Sequence, residues 1–171
     1  VVNYRNVRQG NTSKVNQLIK DMNSGSVGAL IIANTNPVYS LANTAEFTEA
    51  LSKVPVSVSF AMSLDQTAAI SNYVIASPHY LESWGDVEIT RGNYSLIQPT
   101  IQPLFKTRQL EDSLLKWMGG DITSYDYIKN YWQANVLGGK SWNKTLQTGT
   151  FANVIESSSI INEIDFAAAS S

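Results

Sequence analysis

One set of titratable side chains spans eight residues and includes the only histidine of the chain. His79, Glu82 and Asp86 lie in the segment PHYLESWGD, Pro78 to Asp86. Imidazole and carboxylate groups this close together bind metal ions or exchange protons. One histidine with two carboxylates is a sparse ligand set, and the chain has no cysteine. The other interpretation is that the three side chains bond to backbone groups and hold a loop in shape, so we predict no metal site and no catalytic residue.

Two further segments carry hydrogen-bonding side chains that could contact a ligand. Asn34, Thr35 and Asn36 precede Pro37, which fixes a turn. A second group lies at a predicted helix start, where free backbone N–H groups favour an anion; its members are Ser63, Asp65 and Gln66. No GxGxxG or GxxxxGK[ST] phosphate loop occurs. Cofactor-binding candidates and plain caps and turns therefore remain two open interpretations of these residues and of His79, Glu82 and Asp86.

These segments follow short apolar runs that alternate with helical patterns. Val27 to Ala33 is almost unbroken in its hydrophobicity, which is typical of a strand buried on both faces of a parallel sheet. We predict a three-layer α/β sandwich with a mainly parallel sheet and helices on both faces. Ligands of such sheets bind beyond the carboxyl ends of the strands. The predicted strands are Gly28 to Ala33, Pro55 to Phe60 and Tyr73 to Ala76, and the predicted helices are residues 12–22, capped by Asn11, Thr12 or Ser13 and ended by Gly25, then Thr44 to Ser52, and Asp65 to Ser71 capped by Ser63.

The pattern changes after Pro78. Two short strands are predicted around a turn at Gly92-Asn93, and three helices follow. Residues 1–152 are interpreted as one α/β domain and residues 153–171 as an apolar, acidic tail that packs on a partner or another domain. The strands are Val87 to Thr90 and Tyr94 to Gln98, and the helices are Leu110 to Met118, Tyr127 to Val136 and Ser141 to Thr148.

Composition excludes several classes of function. The 171 residues include 12 Lys plus Arg and 14 Asp plus Glu, so the net charge of −2 offers no basic surface for nucleic acid. No apolar run approaches the ~20 residues of a membrane-spanning helix. Without cysteine, the chain itself cannot hold an iron–sulfur cluster or a disulfide. It begins with Val and shows no charged-then-apolar leader, so we expect a domain taken from a longer protein.

Two sets of motifs resemble the molybdopterin oxidoreductases. The segments GALIIANTNPVYSL (Gly28 to Leu41), Thr67-Ala68 and SNYVIASPHYLESWGD (Ser71 to Asp86) resemble the large subunit of that family. A closer similarity, to the molybdopterin-oxidoreductase-like part of the large iron–sulfur subunit of bacterial alternative complex III, is visible in HYLESWGD with two later segments. These are RGNYSLIQPTIQPLF, Arg91 to Phe105, and LLKWMGG, Leu114 to Gly120.

The sequence also departs from the family pattern. Ser71, Asn72 and Ala76 stand where the family has Ala, Asp and Pro, and ITRGNYSLIQ, Ile89 to Gln98, replaces the stretch that approaches the pterin. In the alternative complex III subunit, the resemblance implies a molybdopterin fold that has lost its cofactor. We therefore expect no cofactor in this chain, and iron–sulfur clusters in another domain of the parent protein.

The leading hypothesis is a non-catalytic scaffold domain of a quinol-oxidising respiratory complex. The resemblance implies a peripheral position on the periplasmic side of the inner membrane, with other domains and complex subunits as partners. The fragment alone is then no enzyme, although its parent belongs to an oxidoreductase complex. The alternative is a cofactor-binding domain of an active molybdopterin-dependent oxidoreductase that contacts the pterin guanosine dinucleotide. A small-ligand domain that uses the same crevice is a third hypothesis.

Overall fold

The computed structural model describes residues 10–153, which form two three-stranded sheets with flanking helices. The first sheet is parallel, in the order β1-β2-β3, and this confirms the predicted α/β architecture. Its strands are β1 (Ala29–Ala33), β2 (Val56–Ala61) and β3 (Tyr73–Ala76), and its helices are α1 (Thr12–Asn23), α2 (Pro37–Ser40), α3 (Thr44–Ser52) and α4 (Gln66–Ile70).

Helix ends in this half follow local capping chemistry. Asn11, one of the three predicted caps of α1, accepts a hydrogen bond from the backbone N of Lys14 at 3.0 Å. Gly25 follows the helix with φ 74°, which favours glycine. The cap predicted for α4 was wrong: Asp65, not Ser63, accepts from the N of Ala68 at 2.8 Å, because Asp65 stands immediately before the first helical residue.

Helices α1 and α3 cover one face of the parallel sheet. Ile19 and Met22 of α1 pack with Phe47 and Leu51 of α3 against Ile32 of β1. Since side chains alternate along a strand, Phe60 of β2 points to the opposite face. There its ring meets Trp117 of a later helix at 6.0 Å between centroids.

Only the central strand is buried on both faces. β2 has four consecutive buried residues, whereas Ile31 of β1 is 43% exposed and Tyr73 of β3 is 61% exposed. The prediction that the run ending at Ala33 is buried on both faces was therefore wrong. The reason is position, because β1 and β3 each have one neighbouring strand in this sheet.

The second sheet is antiparallel, in the order β4-β5-β6, and its first two strands form the predicted hairpin at Gly92-Asn93. The third strand was not predicted, because three residues are too few to show an alternating pattern. The strands are β4 (Gly85–Thr90), β5 (Asn93–Ile97) and β6 (Thr150–Ala152), and the helices are α5 (Leu110–Trp117), α6 (Ser124–Asn135) and α7 (Trp142–Thr148).

A second core cluster lies between this sheet and helices α6 and α7. Trp132 is fully buried and Trp142 is 4% exposed, with ring centroids 5.9 Å apart in an edge-to-face arrangement. Leu96 of β5 and Phe151 of β6 close the cluster from the sheet side. The backbone N of Asn153 donates to the O of Gly92 at 2.8 Å. The rest of the predicted tail lies outside the described residues. Between residues 10 and 153, no helix combines the length and hydrophobicity needed to cross a bilayer.

Candidate functional site

The loops that carry the candidate residues meet at the carboxyl ends of the parallel strands, as predicted. The backbone N of Asn34 donates to the O of Phe60 at 3.2 Å, which joins the loop after β1 to the end of β2. The N of Ser77 donates to the O of Ala61 at 3.0 Å, which joins the loop after β3 to the same strand. We call this region the carboxyl edge; it comprises residues 34–40, 61–66 and 77–86.

Asn36 connects the first two loops of the carboxyl edge. Its Nδ2 donates to Oε1 of Gln66 at 2.6 Å, and its Oδ1 accepts from Oγ1 of Thr67 at 2.7 Å. Thr67 is fully buried, and its Oγ1 also accepts from the N of Val38 at 3.0 Å. The amide groups of Asn36 and Gln66 therefore bond to each other and to the start of α4. Thr67 was recognised only as part of a family motif, and its bridging role had no separate signal in the sequence.

The remaining candidates of these two loops differ in accessibility. Asn34, Thr35 and Ser63 are exposed, and Asn34 adopts the left-handed region with φ 54°, which asparagine tolerates. Asp65 places its carboxylate at the first turn of α4, where it accepts from the N of Ala68. The position at which a short helix would attract an anion is thus taken by an acidic side chain.

His79 and Glu82 form a capping box around a short 3₁₀ helix, Tyr80–Glu82. Nδ1 of His79 accepts from the N of Leu81 at 3.3 Å, and Oε2 of Glu82 accepts from the N of His79 at 3.2 Å. Oε1 of Glu82 accepts from the N of Leu104 at 3.2 Å. The expected bonding of Glu82 to backbone N–H groups is confirmed, and these contacts hold the loop in shape.

Asp86 lies in a different environment from His79 and Glu82. Its Oδ2 accepts from Nε1 of Trp132 at 2.6 Å, so it bonds to the second core cluster. The structure therefore brings His79 and Glu82 together but not Asp86. Within residues 10–153, no group of three or more His, Cys, Asp or Glu side chains is placed to hold a metal ion.

Because Trp84 follows the loop after β3 in sequence, we predict that it packs over the end of the parallel sheet, and this prediction is wrong. Its ring packs against Tyr125 of α6 at 4.6 Å, because β4 begins at Gly85 and directs the chain into the second sheet. The side chain of Gln109 brackets the Trp84 backbone, accepting from its N at 3.0 Å and donating to its O at 2.8 Å. No spacing in the sequence indicated this clamp.

Charge at the carboxyl edge is entirely acidic. Its loops hold the acids Asp65 and Glu82 and no Lys or Arg, whereas Asp86, at the end of the third segment, bonds to Trp132. Arg108 lies later in the chain, and its backbone N donates to the O of Ala76, at the end of β3, at 2.9 Å. Arg108 also lines a cavity of about 560 Å³ beside Trp84 and Tyr125. A further cavity of about 650 Å³ lies between the start of α1 and residues 40–43.

Comparison with known proteins gives a sequence relative and several solved structures of similar fold. No protein-family model matches the chain. Over 98 residues, the chain is 37% identical to the menaquinone reductase, molybdopterin-binding-like subunit, of Nitratidesulfovibrio vulgaris, a match that covers 55% of this chain and 14% of the relative. The fold is similar to that of acetylene hydratase from Pelobacter acetylenicus, with a TM-score of 0.59 and 16% identity, over 80% of this chain and 20% of that one.

The class of protein follows from these two similarities. Over part of its length the chain is similar in sequence to a molybdopterin-binding-like subunit, and its fold is similar to that of acetylene hydratase, in agreement with the resemblance that the motifs indicated. At the level of a particular relative, the similarity is to a subunit of menaquinone reductase, of which this chain spans about one seventh of the length.

Proposed function

We propose that this chain is a non-catalytic α/β scaffold domain of a molybdopterin-oxidoreductase-like iron–sulfur subunit in a membrane-associated respiratory complex. The observation that carries the proposal is the state of the carboxyl edge. Asn36, Gln66, Asp65, His79 and Glu82 are engaged in bonds within the protein itself. Such side chains position loops, and a ligand would have to displace those bonds to use them.

The same edge does not fit a pterin guanosine dinucleotide. The diphosphate of that cofactor is an anion, and phosphate sites in proteins supply Lys, Arg or free helix N–H groups. Here the loops supply the carboxylates of Asp65 and Glu82 and no Lys or Arg, and the carboxylate of Asp65 occupies the start of α4. Unfavourable charge and a blocked helix start both favour a domain that keeps the fold without the cofactor.

The respiratory role rests on resemblance and on the printed name of the relative. Menaquinone reductase acts on a quinone, and the motifs of this chain resemble a quinol-oxidising complex. Reduction of a quinone and oxidation of a quinol run in opposite directions, but both exchange electrons with a quinone pool. The proposed setting is the periplasmic side of the inner membrane, with cluster-bearing domains and complex subunits as neighbours.

Elemental and pterin analysis of the full-length gene product separates this proposal from an active molybdenum enzyme. We expect iron bound by the domains outside this chain, and molybdenum and pterin far below one per subunit. Near-stoichiometric molybdenum and pterin would instead establish the alternative, in which the exposed Asn34, Thr35 and Ser63 contact the dinucleotide.

A matched pair of variants identifies the contact if cofactor is found. Ser63→Ala removes an exposed hydroxyl at the carboxyl edge, and Ser52→Ala removes one at the end of α3, far from it. A loss of pterin in the first variant alone would place the cofactor at this edge and overturn the scaffold proposal.

A further inference from the structure

Large apolar side chains are exposed at the carboxyl edge. Met62 and Leu64, in the loop after β2, are 65% and 74% exposed. Residues from α2, from the 3₁₀ helix and from the segment before α5 extend this surface, which we call the edge patch. Its members are Tyr39, Met62, Leu64, Tyr80, Leu104 and Phe105.

Hydrogen bonds join the loops that support the edge patch. Asn36 bonds to Gln66, next to the loop of Met62 and Leu64. The N of Ser77 bonds to the O of Ala61, and this connects that loop to the segment that contains Tyr80. The N of Leu104 donates to Glu82, and this joins the segment of Leu104 and Phe105 to the 3₁₀ helix that contains Tyr80.

These contacts also fix the backbone under the edge patch. Thr67, fully buried, anchors α2 through the N of Val38, and the capping box of His79 and Glu82 holds the 3₁₀ helix. A surface whose backbone is already ordered loses little conformational freedom on binding. The exposed apolar side chains therefore project from a backbone that is already ordered before a partner binds.

The size of the edge patch matches an interface. At about 150–200 Å² per large side chain, six members about 70% exposed offer on the order of 700 Å². A stable protein–protein contact takes about 800 Å² from each partner, and apolar patches of this size on a surface usually mark such contacts.

We infer that the edge patch docks a second domain of the same longer subunit, through an apolar surface that carries Lys or Arg at its rim. The inference rests on the proposed function, in which this chain is one domain of a larger protein. The chain spans 14% of the length of its relative and 20% of its structural neighbour, so most of a comparable protein lies outside it. The acids Asp65 and Glu82 in the same loops favour a partner with basic groups.

Charge also distinguishes a second domain from two alternative partners, a lipid surface and a second copy of the chain. An anionic lipid surface attracts segments rich in Lys and Arg. The three loops contain neither residue, and the first such residue after the patch in sequence is Lys106. In a symmetric contact with a second copy, the same acids would face each other across the interface. A basic, apolar protein surface is the occupant that this charge distribution fits.

Hydroxyl-radical footprinting of the full-length gene product and of the isolated 171-residue chain tests the inference. Tyr39, Met62, Tyr80 and Phe105 should be modified readily in the isolated chain and at least about fivefold more slowly in the intact subunit, because an interface core excludes water. Tyr131, half-exposed on α6, provides the reference. Equal modification of the patch in both proteins would overturn the docking inference and leave the scaffold proposal standing.

A charge variant and two controls complete the test. The double variant L64D/F105D should leave the melting temperature of the isolated chain unchanged and restore modification of Tyr39 and Tyr80 in the intact subunit. Co-sedimentation of the isolated chain with phosphatidylcholine–phosphatidylglycerol vesicles, or protection that rises with its own concentration, would contradict the inference in favour of lipid or a second copy. Protection that disappears when bound pterin is removed would instead contradict the proposed function.

Discussion

The two sheets of this chain are stabilised by different kinds of core. The parallel sheet is covered on one face by aliphatic side chains and Phe47 from α1 and α3, and side-chain hydrogen bonds lie at both ends of its strands, between Asn36 and Thr67 at one end and between Ser57 and Asn72 at the other. The antiparallel sheet packs on Trp132 and Trp142, and the indole N–H of Trp132 bonds to Asp86 on β4. The parallel half thus uses polar bonds to join its loops to the strand ends, whereas the antiparallel half uses one to attach a helix to its sheet.

The contrast has a physical basis in the two architectures. Crossover helices lie directly on a parallel sheet, so aliphatic contacts suffice to bury that face. The second half packs on aromatic side chains instead, and large aromatic rings bury more area for each residue. Removing one ring should therefore cost the second half more than most single changes cost the first.

The largest effect is expected for Trp132→Ala. The substitution leaves a cavity among Trp142, Tyr94 and Leu96 and removes the bond to Asp86, so we expect a loss of about 3–5 kcal/mol in the free energy of unfolding. Urea denaturation measures the loss, and hydrogen exchange should place it first in β4, β5 and β6. The adjacent Tyr131→Ala, on the exposed side of α6, should change stability by less than ~0.5 kcal/mol. Equal losses in both sheets would mean that the two cores unfold as one unit.

Glu82→Gln should have the next largest effect. Both carboxylate oxygens accept backbone N–H bonds, from His79 and Leu104, and an amide replaces one acceptor by a donor. Loss of charge-assisted bonds typically costs ~1.5–3 kcal/mol, so the melting temperature should fall. Glu49→Gln, which disrupts an exposed ion pair with Lys53, provides the control and should cost at most ~0.5 kcal/mol. An unchanged melting temperature with altered ligand binding would favour the enzymatic alternative.

Asn36→Ala tests whether hydrogen bonds between the loops of the carboxyl edge stabilise the fold. The change leaves Oγ1 of the fully buried Thr67 without its acceptor and Gln66 without its partner. An unsatisfied buried group costs about 1–3 kcal/mol, and this loss should appear in thermal unfolding. Thr35→Ala, one residue away and exposed, should be close to neutral. If Asn36→Ala were also neutral, the bonds of the edge would not stabilise the fold and its amides would be free for a ligand.

Ser59→Ala should raise stability. Oγ of Ser59 is buried on the side of β2 that faces α1 and α3 and has no hydrogen-bond partner in the structure. Replacing an unpaired hydroxyl by hydrogen removes a desolvation penalty, and we expect a gain of roughly 0.5–1 kcal/mol. Ser57→Ala on the same strand loses bonds to Asn72 and should destabilise by about 1 kcal/mol. A loss in both variants would show that Ser59 packs more closely than an alanine can.

Hydrophobic period and capping residues made the parallel half predictable. Thr44–Ser52 and Tyr73–Ala76 have the bounds expected from the sequence, because each lies between strong breakers such as Asn43, Ser71 and Ser77. β6 was missed because three residues, Thr150–Ala152, carry no period, and the position of Trp84 depends on β4 and on the clamp by Gln109. Convergence of the three loops followed from topology alone. Which of their polar groups are satisfied internally depends on distances between loops, which sequence spacing does not encode.

Leu64→Ala should have the smallest effect in the isolated chain, and this makes it informative. Leu64 is 74% exposed, so its truncation removes little buried area and should change the free energy of unfolding by less than ~0.5 kcal/mol. The chemically identical Leu51→Ala, at 2% exposure in the first core, should cost about 2–5 kcal/mol. Parallel urea titrations of the two variants measure this difference directly. A substantial loss from Leu64→Ala would mean that the carboxyl edge is already covered within the 171 residues, and no surface would then remain for a second domain.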